Sequence, residues 1–323
     1  MFLYYTINLV TEYSWLYEFF SNKKLTLTFK KVNYMKKLNG VLYALSSSAA
    51  FGLMPILAKF SYTQGATAIT VVFFRFLFSW ILIFPMLLIK KRAIKITKRE
   101  LVWVVLIGIL GYASTTLTLF LSYNYISVGL ATTIHFVYPV IVTLITTFFF
   151  KERLNKVKLF SLILSTIGIY FLVFNGHIQL SFIGVFYAIF SGVLYSLYIV
   201  SISYSPLKNM DNLLVTFYLS MASSSAIFIF GTATKSIKFN LPTIAYVYIL
   251  GISIISTVIA ITAFQKGIKI IGPSNAAILS TFEPIVSMIL GIIILQEAFS
   301  EKILFGCLLI ILSVITLTLA SKK

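Results

Sequence analysis

The sequence predicts an all-α, multi-pass membrane protein with ten transmembrane helices in two inverted five-helix repeats. Three observations carry that expectation. The 323 residues are 59% hydrophobic and only 11% charged, whereas soluble chains average near a quarter charged. Apolar runs long enough to span a bilayer recur ten times from residue 40 onward. The second half of the chain repeats the first at a nearly constant spacing.

Each run supplies about the 20 residues that cross about 30 Å of hydrocarbon at a rise of about 1.5 Å per residue. The first, 40–60, follows Lys36 and Lys37 and carries the small residues of "LSSSAAFG", suited to close helix packing. Lys59 lies near its outer end, where snorkelling is expected. The second, 70–89, carries Arg75. The third, 101–122, is followed by Tyr123 and Asn124, which fit a vestibule or the membrane interface. The fourth, 129–150, contains His135, Tyr138 and Pro139, and the fifth is 157–175. Runs 182–204 and 212–231 follow, the latter with small residues in "MASSSA". Run 242–263 ends near Gln265, read in the same way as Tyr123 and Asn124. Run 273–295 contains Ser280, Glu283 and Pro284, and run 302–320 contains Cys307. None alternates with period two, so these are helices, the open structure whose backbone satisfies itself in lipid.

The net charge is +18, but the cations sit in short loops between apolar runs. Lipid headgroups and the preference for positive cytoplasmic loops account for them, and no nucleic-acid partner is implied. With the N-terminus inside, 21 Lys and Arg fall on the inner side and three (Lys235, Lys238 and Lys302) on the outer; Lys59 and Arg75 lie within spans. Both termini are therefore expected in the cytoplasm. Residues 1–34 stand outside this pattern. Met35 opens a stretch resembling a natural membrane-protein start, so translation beginning there is one expectation. The other is a cytoplasmic extension resting on the membrane through Trp15, Phe19 and Phe20.

The lone Cys307 forms no intramolecular disulfide and builds no Cys-based metal site. Eight carboxylates, two histidines (one of them His177 in an outer loop) and no HExxH motif leave no catalytic or metal constellation. No Gly-rich phosphate loop is present and no cofactor is expected.

The repeat is explicit. "GVLYALSSS" at Gly40 matches "GVFYAIFSG" at Gly184. "FVYPVIVTLITTFFFKE" at Phe136 matches "TFEPIVSMILGIIILQE" at Thr281, aligning Pro139 with Pro284 and Glu152 with Glu297. Five helices per copy is an odd number, so the second copy enters from the opposite side. That arrangement is characteristic of secondary transporters, whose sites lie near mid-bilayer between the halves. The expected units are 35–176 and 181–321.

These helix-four segments, with Arg75 in "FFRFLFSW", resemble the EamA-type family of the drug/metabolite transporter superfamily over about Gly40 to Ala320. The resemblance implies a carrier in the inner or plasma membrane that moves small metabolites such as amino acids or their derivatives, often as export. The competing expectations are a membrane-embedded enzyme acting on lipid or isoprenoid, and a channel-like pore.

The candidate substrate-binding residues are Glu283, Tyr138, His135, Arg75 and Ser280, with helix breaks at Pro139 and Pro284. A charged carboxylate at the centre of a helix costs about 2.5–3.5 kcal/mol on insertion scales, so Glu283 should face protein or water. Pro284 lacks an N–H and frees the Ser280 carbonyl; Pro139 does the same for His135. The repeat maps Tyr138 onto Glu283 and His135 onto Ser280, which should bring the two polar spots face to face. Arg75 either snorkels outward or clasps substrate or Glu283. With His135, Glu283 would form a proton relay, making proton coupling conceivable.

Overall fold

The computed structural model describes residues 35–90, 94–126, 128–173, 181–295 and 301–320, and the described residues form helices and turns without a strand. Helix α1 is Met35–Thr63, α2 Ala68–Ile89 and α3 Lys98–Ser122. Two helices follow, α4 Val128–His135 and α5 Tyr138–Phe150, then α6 Lys156–Val173. The second half has α7 Phe182–Tyr204, α8 Asn212–Ala233, α9 Thr243–Ile271 and α10 Pro273–Ile294. Helix α11 is Glu301–Ala320. Seven of these (α1, α2, α3, α7, α8, α9 and α10) are long and apolar enough to cross a membrane, and α5 and the Leu304–Ala320 part of α11 are shorter apolar helices. The expected fourth span is thus two helices. The expectations for residues 1–34, His177 and Glu297 fall outside the described residues.

Local chemistry sets the helix ends. Thr67 accepts from the Thr70 N–H to cap α2, Thr97 and Glu100 form a reciprocal capping box on α3, and Asp211 accepts from Leu213 and Leu214 to cap α8. Gly65 and Gly272 adopt φ of +88° and +85° in the tight α1–α2 and α9–α10 turns, a region that glycine enters without a Cβ penalty. Outward faces are apolar, with exposure reaching 85% at Phe182. Lipid rather than water suits such a surface.

The helix pairing is symmetric. Helix α2 packs on α8, α5 on α10 and α6 on α11, while α3 packs on α7 as α9 packs on α1. Exchanging each helix for its repeat equivalent leaves these pairs unchanged. The irregularities repeat as well. A π-helical segment interrupts α3 at Ile107–Ala113 and another interrupts α9 at Ser253–Ile259. A π turn displaces the regular backbone bonds, and in each case a serine of a neighbouring helix approaches the segment. Ser223 of α8 donates to the Gly108 carbonyl at 2.8 Å, and Ser79 of α2, which donates to the Arg75 carbonyl at 2.6 Å, lies 3.4 Å from the Ser253 carbonyl.

The breaks before Pro139 and Pro284 are covered just as closely. Phe136 and Val137 separate α4 from α5, and Ser280–Phe282 form a 3-10 turn within α10. Gly192 of α7 sits against the first break. A Cβ there would lie 2.8 Å from the His135 carbonyl oxygen and 2.7 Å from Val137 Cγ1. Gly52 of α1 meets α10 beyond Pro284, where a Cβ would lie 2.7 Å from Val286 Cβ and 3.1 Å from the Ser287 nitrogen.

One end of the bundle carries a polar tie between the halves. Ser274 of α10 donates to Glu152 at 2.7 Å and shares a 2.7 Å bond with Thr146 of α5. Lys158 completes an ion pair with Glu152 at 2.8 Å. Burial pushes the Glu152 carboxyl up, but bonds from Lys158, Ser274 and Thr146 outweigh it and hold the group below its ordinary value. The repeat-equivalent positions of Ser274 and Thr146 are Gly129 and Gly291, so this hydroxyl tie exists at one end only.

Two outcomes are expected. Gly192→Ala should destabilise the purified protein by about 1–3 kcal/mol through overpacking against backbone, read as a lowered Tm in detergent; an unchanged Tm would contradict the close approach. The depressed Glu152 group contributes stability that is present above its ordinary value of 4.5 and is lost as pH falls toward its folded value. Glu152→Gln should therefore cost about 0.5–1 kcal/mol near pH 7 and flatten the acid limb of Tm against pH.

Candidate functional site

The two broken helices meet in the interior. Tyr138 opens α5, directly after the first break, and its hydroxyl lies 2.5 Å from that of Ser280 in the 3-10 turn of α10. Ser280 donates in turn to the Ala277 carbonyl at 2.7 Å. The backbone of the first break is tied to α7, where Ser196 donates to the Tyr138 carbonyl at 3.3 Å. The His135 ring shares a 2.8 Å bond between Nδ1 and Ser191 Oγ. The expected confrontation of the two polar spots is thus present, made by Tyr138 with Ser280.

Beside this junction is a cavity of about 60 Å³. Its polar wall includes Glu283, Tyr138, His135, Arg75, Tyr195 and Thr132. Four of the five expected binding residues line it directly, and Ser280 lies one hydrogen bond behind Tyr138. Glu283 is half-buried and faces this space; among the described residues it has no hydrogen-bond or ion-pair partner. An ionised carboxylate offers about four acceptor sites, so Glu283 presents unspent acceptor capacity to whatever enters.

Arg75 behaves differently. It does not snorkel, because it is only 2% exposed, and it is not ion-paired with Glu283. Its Nε donates to Thr257 at 2.8 Å, one Nη to Met54 Sδ at 2.9 Å, and the other to Tyr112 at 3.4 Å and the Ser256 carbonyl at 3.5 Å. The guanidinium also lies over the rings of Phe76 at 5.4 Å and Tyr112 at 6.0 Å. Tyr112 and Thr257 lie one in each π segment, and the repeat spacing that aligns Pro139 with Pro284 pairs them. Arg75 therefore joins the irregular stretches of α3 and α9, and its donors are largely spent on protein.

An aromatic chain that sequence reasoning missed runs from Tyr112, beside Arg75, to His135. Tyr112 stacks on Tyr198 at 5.4 Å and Tyr198 on Tyr195 at 5.6 Å. Tyr195 meets Tyr138 edge-on at 4.8 Å, and Tyr138 lies 5.2 Å from His135. Gln265, expected in a vestibule or at the interface, is instead fully buried and donates to the Tyr198 hydroxyl at 3.1 Å. Tyr123 lines the cavity, Asn124 is exposed, and Lys59 is exposed as expected for a snorkelling side chain. For Tyr195 and Tyr198 the available signal was position inside a span, where a Tyr needs a buried partner as an interfacial one does not; Gln265, beyond the end of its expected run, carried no such signal.

The comparisons with known proteins match this architecture. The model of the EamA-like transporter family matches residues 38–174 and 182–319, one unit in each half. An uncharacterized transporter of Haemophilus influenzae is 30% identical over 138 residues, covering 42% of this chain and 44% of that protein. The matched part thus spans less than half the length of that relative. A protein of known crystal structure aligns with TM-score 0.77 at 15% identity, over 87% of this chain and 97% of that one, a likeness of fold alone. With two family units covering most of its length and a polar cavity where their broken helices meet, the chain belongs to the EamA-like transporter family.

Proposed function

We propose that the chain is a secondary transporter of a small polar metabolite, an amino acid or derivative, which it exports across the cell membrane by alternating access. One observation carries this reading: two repeat-equivalent helix breaks meet beside an interior cavity lined by a carboxylate, Glu283, with no hydrogen-bond or ion-pair partner among the described residues. Counting broken α4–α5 as one crossing gives ten crossings, in repeat units 35–176 and 181–321. Five per half would plant the copies in opposite senses, and the bias of Lys and Arg supports both termini in the cytoplasm.

The mechanism follows from the arrangement of the site. Tyr138, His135, Arg75 and Ser280 shape and brace the pocket, Pro139 and Pro284 supply the breaks, and Glu283 receives the solute or a coupling proton. A cavity of about 60 Å³ holds a few waters, whereas ligand pockets run about 300–1,000 Å³. A metabolite therefore enters only as the halves part, which favours a carrier over a standing pore. The one-ended tie through Ser274 and Glu152 is a contact that such parting would break.

Counterflow of radiolabelled amino acids into vesicles holding the purified protein tests this reading. Saturable, trans-stimulated uptake is expected, and flux far above carrier turnover would favour a pore instead. Glu283→Gln should cut that flux by about tenfold or more while leaving protein in the membrane; unchanged flux at every pH would count against the role of Glu283. Reporters fused to each end should both read cytoplasmic, and an external C-terminus would overturn the count of ten crossings.

A further inference from the structure

The two charged residues of the cavity are not equivalent, and the difference specifies what the site can bind. A zwitterion would need a cation for its carboxylate and an anion for its amine. Arg75 is poorly placed for the first task. Its Nε, one Nη and the other Nη already point to Thr257, Met54, and the pair Tyr112 and Ser256. Its charge also rests on two ring faces, and almost none of it is exposed. Withdrawing it toward a ligand would strip the bonds that join α3 to α9.

Glu283 is suited to the second task. It lines the cavity, remains partly open to it, and has no bonding partner among the described residues. A carboxylate left without a hydrogen bond in a low-dielectric interior carries a desolvation cost that the Arg75 charge offsets only from a distance and that a cation in direct contact relieves more fully. The surrounding wall is aromatic, including Tyr138, Tyr195 and Tyr123. Ring faces attract cations, and more strongly where water is excluded. Neutral hydroxyls and rings offer a carboxylate far less.

We propose that the site recognises its solute through an ammonium group, which Glu283 pairs with inside the ring of tyrosines, and that Arg75 is a positioning residue which does not bind a solute anion. The proposal rests on the transporter reading and narrows its substrate class to primary amines and amino acids held by their amine end. A free carboxylic acid of the same skeleton is not a ligand. The cavity as it stands admits the head of such a group, and the remaining body enters as the pocket widens.

The test uses the full chain in detergent and three probes with one skeleton: L-phenylalanine, phenylethylamine and 3-phenylpropanoate. Binding is read by quenching of tryptophan fluorescence and by thermal shift, up to about 10 mM, the weak end of specific affinity. L-phenylalanine and phenylethylamine should bind, and 3-phenylpropanoate should not. Glu283→Gln should weaken amine binding by about 30-fold or more with Tm of the ligand-free protein unchanged, while Glu283→Asp, which keeps the charge, should retain the preference. Equal binding of the acid, undiminished amine binding in Glu283→Gln, or no binding of either amine would each overturn the proposal. Selective amine binding without flux in vesicles would sink the transporter reading alone; flux without amine selectivity would sink this proposal alone.

Discussion

A helix in hydrocarbon can be interrupted only where something other than lipid meets the exposed backbone. That constraint organises the molecule. Four of its interruptions occur in equivalent places in the two halves, as π segments in α3 and α9 and breaks before Pro139 and Pro284, while a turn at Leu53 in α1 has no counterpart in α7. All four face protein. Ser223 serves the Gly108 carbonyl in the first π segment, Gly192 lets α7 close over the first break and Gly52 lets α1 close on α10 just beyond the second, and Tyr138 with Ser280 ties one break to the other. The two helix breaks are brought together at the interior junction, and the cavity lies beside it.

Charge is divided along the same lines. Arg75 is consumed in fastening α3 to α9, with Tyr112 and Thr257 as matched partners from the two copies. Glu283, next to a proline that already breaks its helix, keeps its oxygens available to the cavity. Two oppositely charged residues on one cavity wall are thus placed differently: Arg75 is bonded into the fold, and Glu283 has no hydrogen-bond or ion-pair partner among the described residues. An aromatic chain runs from Tyr112, beside Arg75, through Tyr198 and Tyr195 to Tyr138.

How much of this was legible in the sequence depended on how loudly each residue speaks against an apolar background. Pro139, Pro284 and Glu283 are expensive in a span, so the sequence marks them plainly, and the repeat spacing placed them opposite one another. The π segments left no comparable mark, because small and apolar residues such as Gly108 and Ser253 fit a regular helix equally well. The fate of Arg75 depended on partners in the other half, at Ser256 and Thr257, which spacing along the chain does not reveal. Tyr195 and Tyr198 were passed over although each lies inside a span where only a buried partner could satisfy it, and Gln265, just beyond the end of its expected run, was read as a vestibule or interfacial residue. The link from Glu152 to Ser274 joins residues far apart in sequence and has no counterpart in the other copy, so the repeat did not signal it either.

The central claim is that the junction of the two halves borders an aqueous pocket reached in turn from either side. Thr116 lines the cavity, whereas Phe148 points outward. Single cysteines placed by Thr116→Cys and, as a control, Phe148→Cys in a chain carrying Cys307→Ser can be challenged with a membrane-impermeant thiol reagent, added to either face of oriented vesicles. The account predicts modification of the Thr116→Cys protein from both faces and none of the control. Modification from neither face, or from one face only under all conditions, would contradict it.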